Sequence, residues 1–236
     1  HPGVLGSGGP DVFGYRWTDS DAPGGPAFDW VDITGVGTLI TTLNADDMWV
    51  TGIPIGFNFP FYGNAFSTLA IGSNGWMSFD AAPTSSYLSN YTLPSTAGPA
   101  NMIAGFWDDL SFSSTHGSGQ AYFYNDGSRF ILSFINVPHY SSASTGLYTF
   151  QWILYPNGRI VIQYLSMTGL LNSATIGIQN GTKDDGLTTV FNNAYVHDNM
   201  AVEFKAIPQW AMLSLVKGLV YAGTGQDVTV AFDCTD

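Results

Sequence analysis

The chain predicts an all-β protein, a β-sandwich or jelly roll of antiparallel strands with a C-terminal strand extension. Three observations carry this. Short runs of β-branched and aromatic residues recur about every 8 to 12 residues between turn residues. Gly 28 and Pro 12 are scattered among these runs, in a chain that is 15% aromatic. No stretch sustains apolar positions at i, i+3, i+4 and i+7, so helices should be few and short. The strongest element is the stretch Tyr148 to Leu165, where two such runs flank Asn157-Gly158, a pair suited to a two-residue type I′ turn. Folding about that turn sets Ile153 opposite Ile162, Leu154 opposite Val161, Trp152 opposite Gln163 and Gln151 opposite Tyr164. Both faces are then largely apolar, which predicts a central hairpin covered on both sides.

Taken in order, residues 1–10 are a Gly-rich extension with Val4 and Leu5 as its apolar anchor, packed on its own domain or docked on a neighbour. Residues 11–206 form the sandwich. Within it, residues 11 to 34 read as two short aromatic strands around an acidic Pro/Gly turn, where Asp19 and Asp21 could offer oxygens to calcium. Ile53 to Phe61 alternates apolar with small or polar residues, and Pro54 and Pro60 place it at an edge or in a bulged strand. Leu69 to Ile71, Trp76 to Phe79 and Met102 to Trp107 follow, with Ser73-Asn74-Gly75 as a turn. The Ser/Thr/Pro/Tyr stretch between Phe79 and Met102 is long enough to wrap an edge or form a binding lip. Ala121 to Tyr124, Arg129 to Val137, the central hairpin, Ala174 to Gln179, Thr188 to Phe191 and Ala201 to Lys205 complete the series. His139, following Pro138, is expected in a surface loop. Residues 207–236 add strands too few to form a core of their own.

Composition excludes some partners. Of 236 residues only 10% are charged, the formal net charge is −12, and Glu203 is the only glutamate. The six cations, Arg16, Arg129, Arg159, Lys183, Lys205 and Lys217, make no basic patch, so nucleic acid and anionic membrane are poor partners. No apolar run approaches the roughly 18 residues that span a bilayer. Cys234 is the sole cysteine, so no intrachain disulfide forms. A start at His1 reads as removal of an export signal, or as a fragment. The expected location is extracellular or at the cell surface.

Three segments, Ile71-Gly-Ser-Asn-Gly-Trp-Met-Ser-Phe79, Met102-Ile-Ala-Gly-Phe-Trp-Asp-Asp109 and Tyr148-Thr-Phe-Gln-Trp-Ile-Leu154, occur in the order of the nidogen-like extracellular domain, and Ala174-Thr-Ile-Gly-Ile178 is similar to its closing strand. The resemblance covers roughly residues 50 to 205. It implies an extracellular domain associated with adhesion and matrix, with no catalytic residues to carry over. Gly14 to Pro26 is similar to a region of large secreted bacterial proteins, some of which carry peptidase domains. From Pro208 the chain resembles the start of a bacterial immunoglobulin-like repeat, and it ends short of a complete one.

Among candidate sites, Asp108 and Asp109 would converge only if their strand ends between them, since neighbours in a strand face opposite ways. Nothing fixes a second acid at the roughly 5 to 9.5 Å a glycosidase needs; a strand end bonded to loop backbone, or calcium, suits the pair better. His1, His116, His139 and His197 lack metal spacing, and no Gly-x-Ser-x-Gly elbow occurs, so the chain is not expected to be an enzyme. Tyr87, Tyr91, Tyr140 and Trp49 could stack on sugars or meet a protein. Asn90-Tyr-Thr92 and Asn180-Gly-Thr182 fit the glycosylation sequon.

These residues point to a non-catalytic extracellular structural or adhesive protein that self-assembles into a filament by strand addition from its tail. Val4, Leu5, Trp210, Leu213, Leu215, Val228, Val230 and Phe232 would make the subunit contacts. The alternative is an accessory glycan- or protein-binding module of a large secreted hydrolase. The expected partners are copies of itself, with a glycan or surface protein second; no cofactor is expected, calcium being the one candidate.

Overall fold

A computed structural model describes residues 6–140 and 146–206. Fourteen strands occur in it: β1 (Ser7–Gly8), β2 (Tyr15–Asp19), β3 (Thr38–Leu39), β4 (Trp49–Phe61), β5 (Asn64–Gly72), β6 (Trp76–Ser78), β7 (Met102–Trp107), β8 (Gln120–Asn125), β9 (Phe130–Pro138), β10 (Leu147–Leu154), β11 (Ile160–Met167), β12 (Thr175–Gln179), β13 (Gly186–Phe191) and β14 (Met200–Ala206). The only helical element among the described residues is a 3₁₀ turn at Thr41–Leu43. All strand pairings are antiparallel. They form an 8-stranded sheet, β1-β2-β14-β11-β10-β9-β8-β3, and a 6-stranded sheet, β13-β12-β7-β6-β5-β4. The two pack as a sandwich that does not close into a barrel.

Period-two alternation sets the layers. Along β10, Tyr148, Phe150, Trp152 and Leu154 enter the core between the sheets, whereas Ile153 turns to a second cluster on the outside of the large sheet. Ile160, Ile162 and Tyr164 of β11 point inward while Val161 points outward. Close contact across the core needs Gly105: a Cβ there would lie 2.3 Å from the Trp152 indole.

The hairpin holds the middle of the large sheet, as expected, but its register differs by one residue. Ile153 pairs with Val161, Trp152 with Ile162 and Gln151 with Gln163. The Tyr155 N–H donates to the Arg159 carbonyl at 3.0 Å and the Gly158 N–H to the Tyr155 carbonyl at 2.9 Å, enclosing a three-residue loop. The reason is Pro156, which fixes φ for the first corner of a type I turn, so that only Gly158, at φ +84°, adopts the left-handed conformation. The slip makes Gln151 and Gln163 neighbours on the outer face.

That outer face is covered. Residues 26–37 were expected to include a strand; instead they form a strap on the large sheet, with Phe28, Val31 and Ile33 against Ile131, Ile153, Val161 and Ala201. Gln163 anchors it at both groups of one residue, accepting from the Asp29 N–H at 2.6 Å and donating to the Asp29 carbonyl at 2.8 Å. The amide of Gln151 reaches the Val31 carbonyl at 3.4 Å. No strand pairing was available because side chains, and not a neighbouring backbone, meet the strap.

A second strap, residues 81–100, lies on the outer face of the small sheet. Trp76 donates its indole N–H to the Ser86 carbonyl at 2.8 Å, and Trp107 donates to the Tyr87 carbonyl at 2.5 Å. Gln179 accepts from the Ser95 N–H at 2.7 Å and donates to the Pro99 carbonyl at 2.7 Å. Leu93 and Tyr87 pack with Ala70, Trp76, Met102, Ala104 and Trp107 beneath. The expected edge wrap or lip is therefore a cover on a sheet face. Edge placement of β4 does hold, and its pairing with β5 is interrupted twice.

Candidate functional site

The best-defined polar constellation is an acidic corner where the loops after β7, before β4 and after β9 meet. It is built on Ser73-Asn74-Gly75. Gly75 is required at φ +77°, where a Cβ would lie 1.9 Å from the Phe106 carbonyl oxygen. The Ser73 hydroxyl accepts from the Met48 N–H at 3.1 Å. Asn74 donates to the Asp47 carboxylate at 2.8 Å and to the Ser86 carbonyl at 3.2 Å, and accepts from the Leu110 N–H at 2.9 Å. One buried amide thus ties three loops together. A bridge between Asp46 and Ser111 completes the bracket.

β7 ends at Trp107, so Asp108 and Asp109 diverge into different surroundings. Asp108 is buried, accepting from the Ser173 hydroxyl and, at 2.9 Å, from the Asp109 N–H. His139 Nε2 stands 3.5 Å from Oδ1, the oxygen that also accepts from the Asp109 N–H, and is half-buried, not the surface residue expected after Pro138. The hydrogen bond that the imidazole donates to Asp108 holds its pKa above the ordinary value, against the opposing effect of burial. Asp109 instead joins Asp46 and Asp47, each offering a carboxylate oxygen within 4.8 Å of the others. Burial, then the negative charge of Asp47, pushes Asp109 up to about 6. Oδ1 of Asp46 is buried without a hydrogen-bond partner. Three converging carboxylates with an unsatisfied oxygen fit a hard divalent cation such as calcium, which takes oxygen ligands. Asp46-Asp47 was the missed signal, a second acidic doublet echoing Asp108-Asp109.

Around this corner, Tyr140 is 46% exposed and its N–H donates to the Asp109 carbonyl at 2.8 Å. Its ring meets the His116 ring edge-on at 4.9 Å. His116 Nδ1 lies 2.8 Å from the Ser111 hydroxyl, yet Ser111 is 0% exposed and offers no nucleophile to a substrate.

The other sequence candidates lie elsewhere. Asp19 is buried; its Oδ1 accepts from the Asp21 and Ala22 N–H groups at 3.1 and 3.0 Å, and its Oδ2 accepts from the Tyr195 hydroxyl. Burial, and that bond to Asp19, drive the Tyr195 pKa far above its ordinary value. Asp21 is exposed and 3.0 Å from His197 Nε2. The structure therefore does not bring Asp19 and Asp21 to Asp108 and Asp109. Tyr87 is half-buried, its ring against Trp76 at 5.6 Å, whereas Tyr91 is 46% exposed with its ring 6.3 Å from Trp107. Trp49 is 37% exposed at the start of β4. Val4, Leu5, Trp210, Leu213, Leu215, Val228, Val230 and Phe232 lie outside the described residues, as does the segment resembling an immunoglobulin-like repeat.

Fold and site together define an antiparallel β-sandwich module whose outward faces carry straps and in which two of the nidogen-like segments, through Asn74 and Asp109, meet at an acidic corner. A family model described as NIDO related matches residues 25–211, and the chain belongs to that family. The family is a non-enzymatic domain type and typically extracellular. No curated protein and no solved structure matches the chain. Among the described residues no helix is long and apolar enough to cross a membrane.

Proposed function

We propose that this chain is a non-catalytic extracellular structural or adhesive module that self-assembles, with strands from residues 207–236 adding to the sheet edge of a neighbouring copy. The supporting observation is the pair of straps. Both outward sheet faces carry bonded cover, so a partner strand has the edges to go to, and an exposed edge is a template for another chain. A contact of this heterologous kind makes a filament when it does not close into a ring. The test is electron microscopy and sedimentation of the full chain beside one ending at Ala206. Filaments or oligomers from the full chain alone are expected; monodisperse monomers from both would end the proposal and favour a detached glycan- or protein-binding module.

A second reading, a calcium-stabilised surface module, draws on the corner of Asp46, Asp47 and Asp109 and the unpartnered Asp46 oxygen. Calcium should raise the melting temperature and a chelator reverse the gain, with Asp109→Asn abolishing both. Identical melting with calcium and with chelator would remove this reading.

A further inference from the structure

We infer that the outer face of the small sheet, where the 81–100 strap crosses β12 and the end of β13, binds the pyranose ring of a neutral glycan. Tyr91 and Phe191 supply the stacking surface, and the side-chain amides of Asn90 and Asn192 supply the hydrogen bonds. The inference stands apart from self-assembly, because it uses a sheet face and no edge.

Its frame is a row of side chains across that face. Thr175 of β12 pairs with Trp107 of β7 on one side and with Phe191 of β13 on the other. Residues directly opposite one another in antiparallel strands share a face. Trp107 lies on the outer face beneath the strap, so Thr175 and Phe191 do as well. The Tyr91 ring stands 6.3 Å from the Trp107 ring. Tyr91 is 46% exposed and Phe191 38% exposed. One open ring therefore rests on the β7 side of Thr175 and the other rises from the β13 side.

The amides between these rings are locked in orientation. The Thr175 hydroxyl has one proton and donates it to the Tyr91 carbonyl at 2.9 Å. The group of Asn90 that meets Thr175 Oγ1 at 3.0 Å must then be the donor, Nδ2. The second hydrogen of that nitrogen goes to Asn192 Oδ1 at 2.8 Å. Asn192 is held at φ +48°, a conformation asparagine tolerates, with its N–H on the Ala174 carbonyl at 3.0 Å. One hydroxyl thus sets both amides. Asn90 Oδ1 and Asn192 Nδ2 make no hydrogen bond among the described residues, so an acceptor and a donor stand side by side.

This set selects its ligand. A pyranose ring has an apolar face of C–H groups that packs on an aromatic ring, and neighbouring hydroxyls of which one accepts from Asn192 while the next donates to Asn90. Small-molecule sites combine apolar contact with a few oriented polar groups in this way. Asn90, Tyr91, Thr175, Phe191 and Asn192 carry no charge. Lys183, the cation bonded to the strap, precedes β13 and so lies at the opposite end of that strand from Phe191. With a formal net charge of −12 on the chain, sulfated and uronic sugars are disfavoured. A protein interface needs about 800 Å² from each partner, far more than two half-covered rings present.

The test places the fluorescently labelled full chain on an array of neutral hexose oligosaccharides and their sulfated and uronic counterparts, and titrates the strongest neutral binder by calorimetry. Retention of neutral glycans, undiminished by added salt, is expected. Phe191→Thr and Tyr91→Thr, both at exposed positions and checked for unchanged melting, should each weaken binding about tenfold, whereas Trp49→Thr, an exposed ring elsewhere, should bind as the unaltered chain does. Monodeoxy analogues lacking either of two adjacent hydroxyls should also bind about tenfold more weakly. Retention of anionic glycans alone, retention of no glycan, or binding that survives both ring substitutions would each overturn the site. Equal binding by every monodeoxy analogue would overturn the role of the amide pair.

Discussion

The two straps solve one problem with opposite means. On the large sheet the buried outward strand residues, Ile131, Ile153, Val161 and Ala201, are aliphatic, with Tyr122 and Tyr124 of β8 packed against them, and the strap adds its own bulk: Phe28, Val31 and Ile33 pack down while Gln151 and Gln163 grip the strap backbone. On the small sheet the bulk rises from the strands. Trp76 and Trp107 fill the outer layer and present their N–H groups to a strap of serine, threonine and proline that contributes little more than Leu93 and Tyr87. A polar segment is thus fixed as firmly as an apolar one when the sheet supplies both the surface and the donors. Buried glutamines in strands mark both straps, since Gln151, Gln163 and Gln179 are each 0 to 2% exposed and each bonds strap backbone.

The contrast breaks most sharply at the rings. Trp107→Ala should cost about 3 to 5 kcal/mol, the range for deleting a buried aromatic, and lower the melting temperature of the whole domain. A loss under about 1 kcal/mol by calorimetry would mean that the small-sheet strap is not carried by its tryptophans. Gln163→Met strands two backbone groups at Asp29, each worth about 1 to 3 kcal/mol if left buried. Because the strap can lift into water, the expected result is a smaller global loss with faster hydrogen exchange at residues 28–33; unchanged exchange there would refute the anchoring role. Thr188→Val removes a hydroxyl that both accepts from the Leu93 N–H at 2.7 Å and donates to the Leu93 carbonyl at 3.0 Å. About 1 kcal/mol should be lost, with protection falling at Leu93 and not at Asp29.

The smallest effect concerns charge on the outer side of β14. Burial raises the Glu203 pKa, but hydrogen bonds from Lys205 and Arg159 outweigh it and hold the carboxyl below its ordinary range. A depressed carboxylate adds stability that is complete above its ordinary pKa of about 4.3 and is lost as pH falls through the folded value. Lys205 and Arg159 side chains are 60% and 35% exposed, so solvent screening limits the contribution to under about 1 kcal/mol. Glu203→Gln should therefore lower the melting temperature slightly at pH 7, by a difference that shrinks as the pH falls below about 4. A deficit that persisted in acid would trace to packing.

Most strands were readable because alternation is local: Met102 to Trp107 is β7 residue for residue, and the proline-marked run from Ile53 is the edge strand β4. Errors arose where the partner was distant or one residue decided. Pro156 moved the hairpin by one position, and with it the pairing of Phe150 to Leu154, until the bulge between Thr149 and Phe150 returns Tyr148 and Thr149 to the unshifted register. Residues 28 to 34 carry a strand-like composition, yet their hydrogen bonds go to glutamine side chains 120 and 134 positions away. At the site, Asp108-Asp109 was visible, but the sequence did not show that Asp109 faces Asp46 and Asp47 while Asp108 turns to Ser173.

By itself, then, the sequence determined the all-β class, the order of the strands, the double-sided burial of β10 and β11 and the scarcity of cations, all properties of residues near one another in the chain. The tertiary structure decided which loops cover which sheet face and which acids converge. Each of those depends on groups brought together only after the sheets pack, and period-two patterning is silent about what lies across a face.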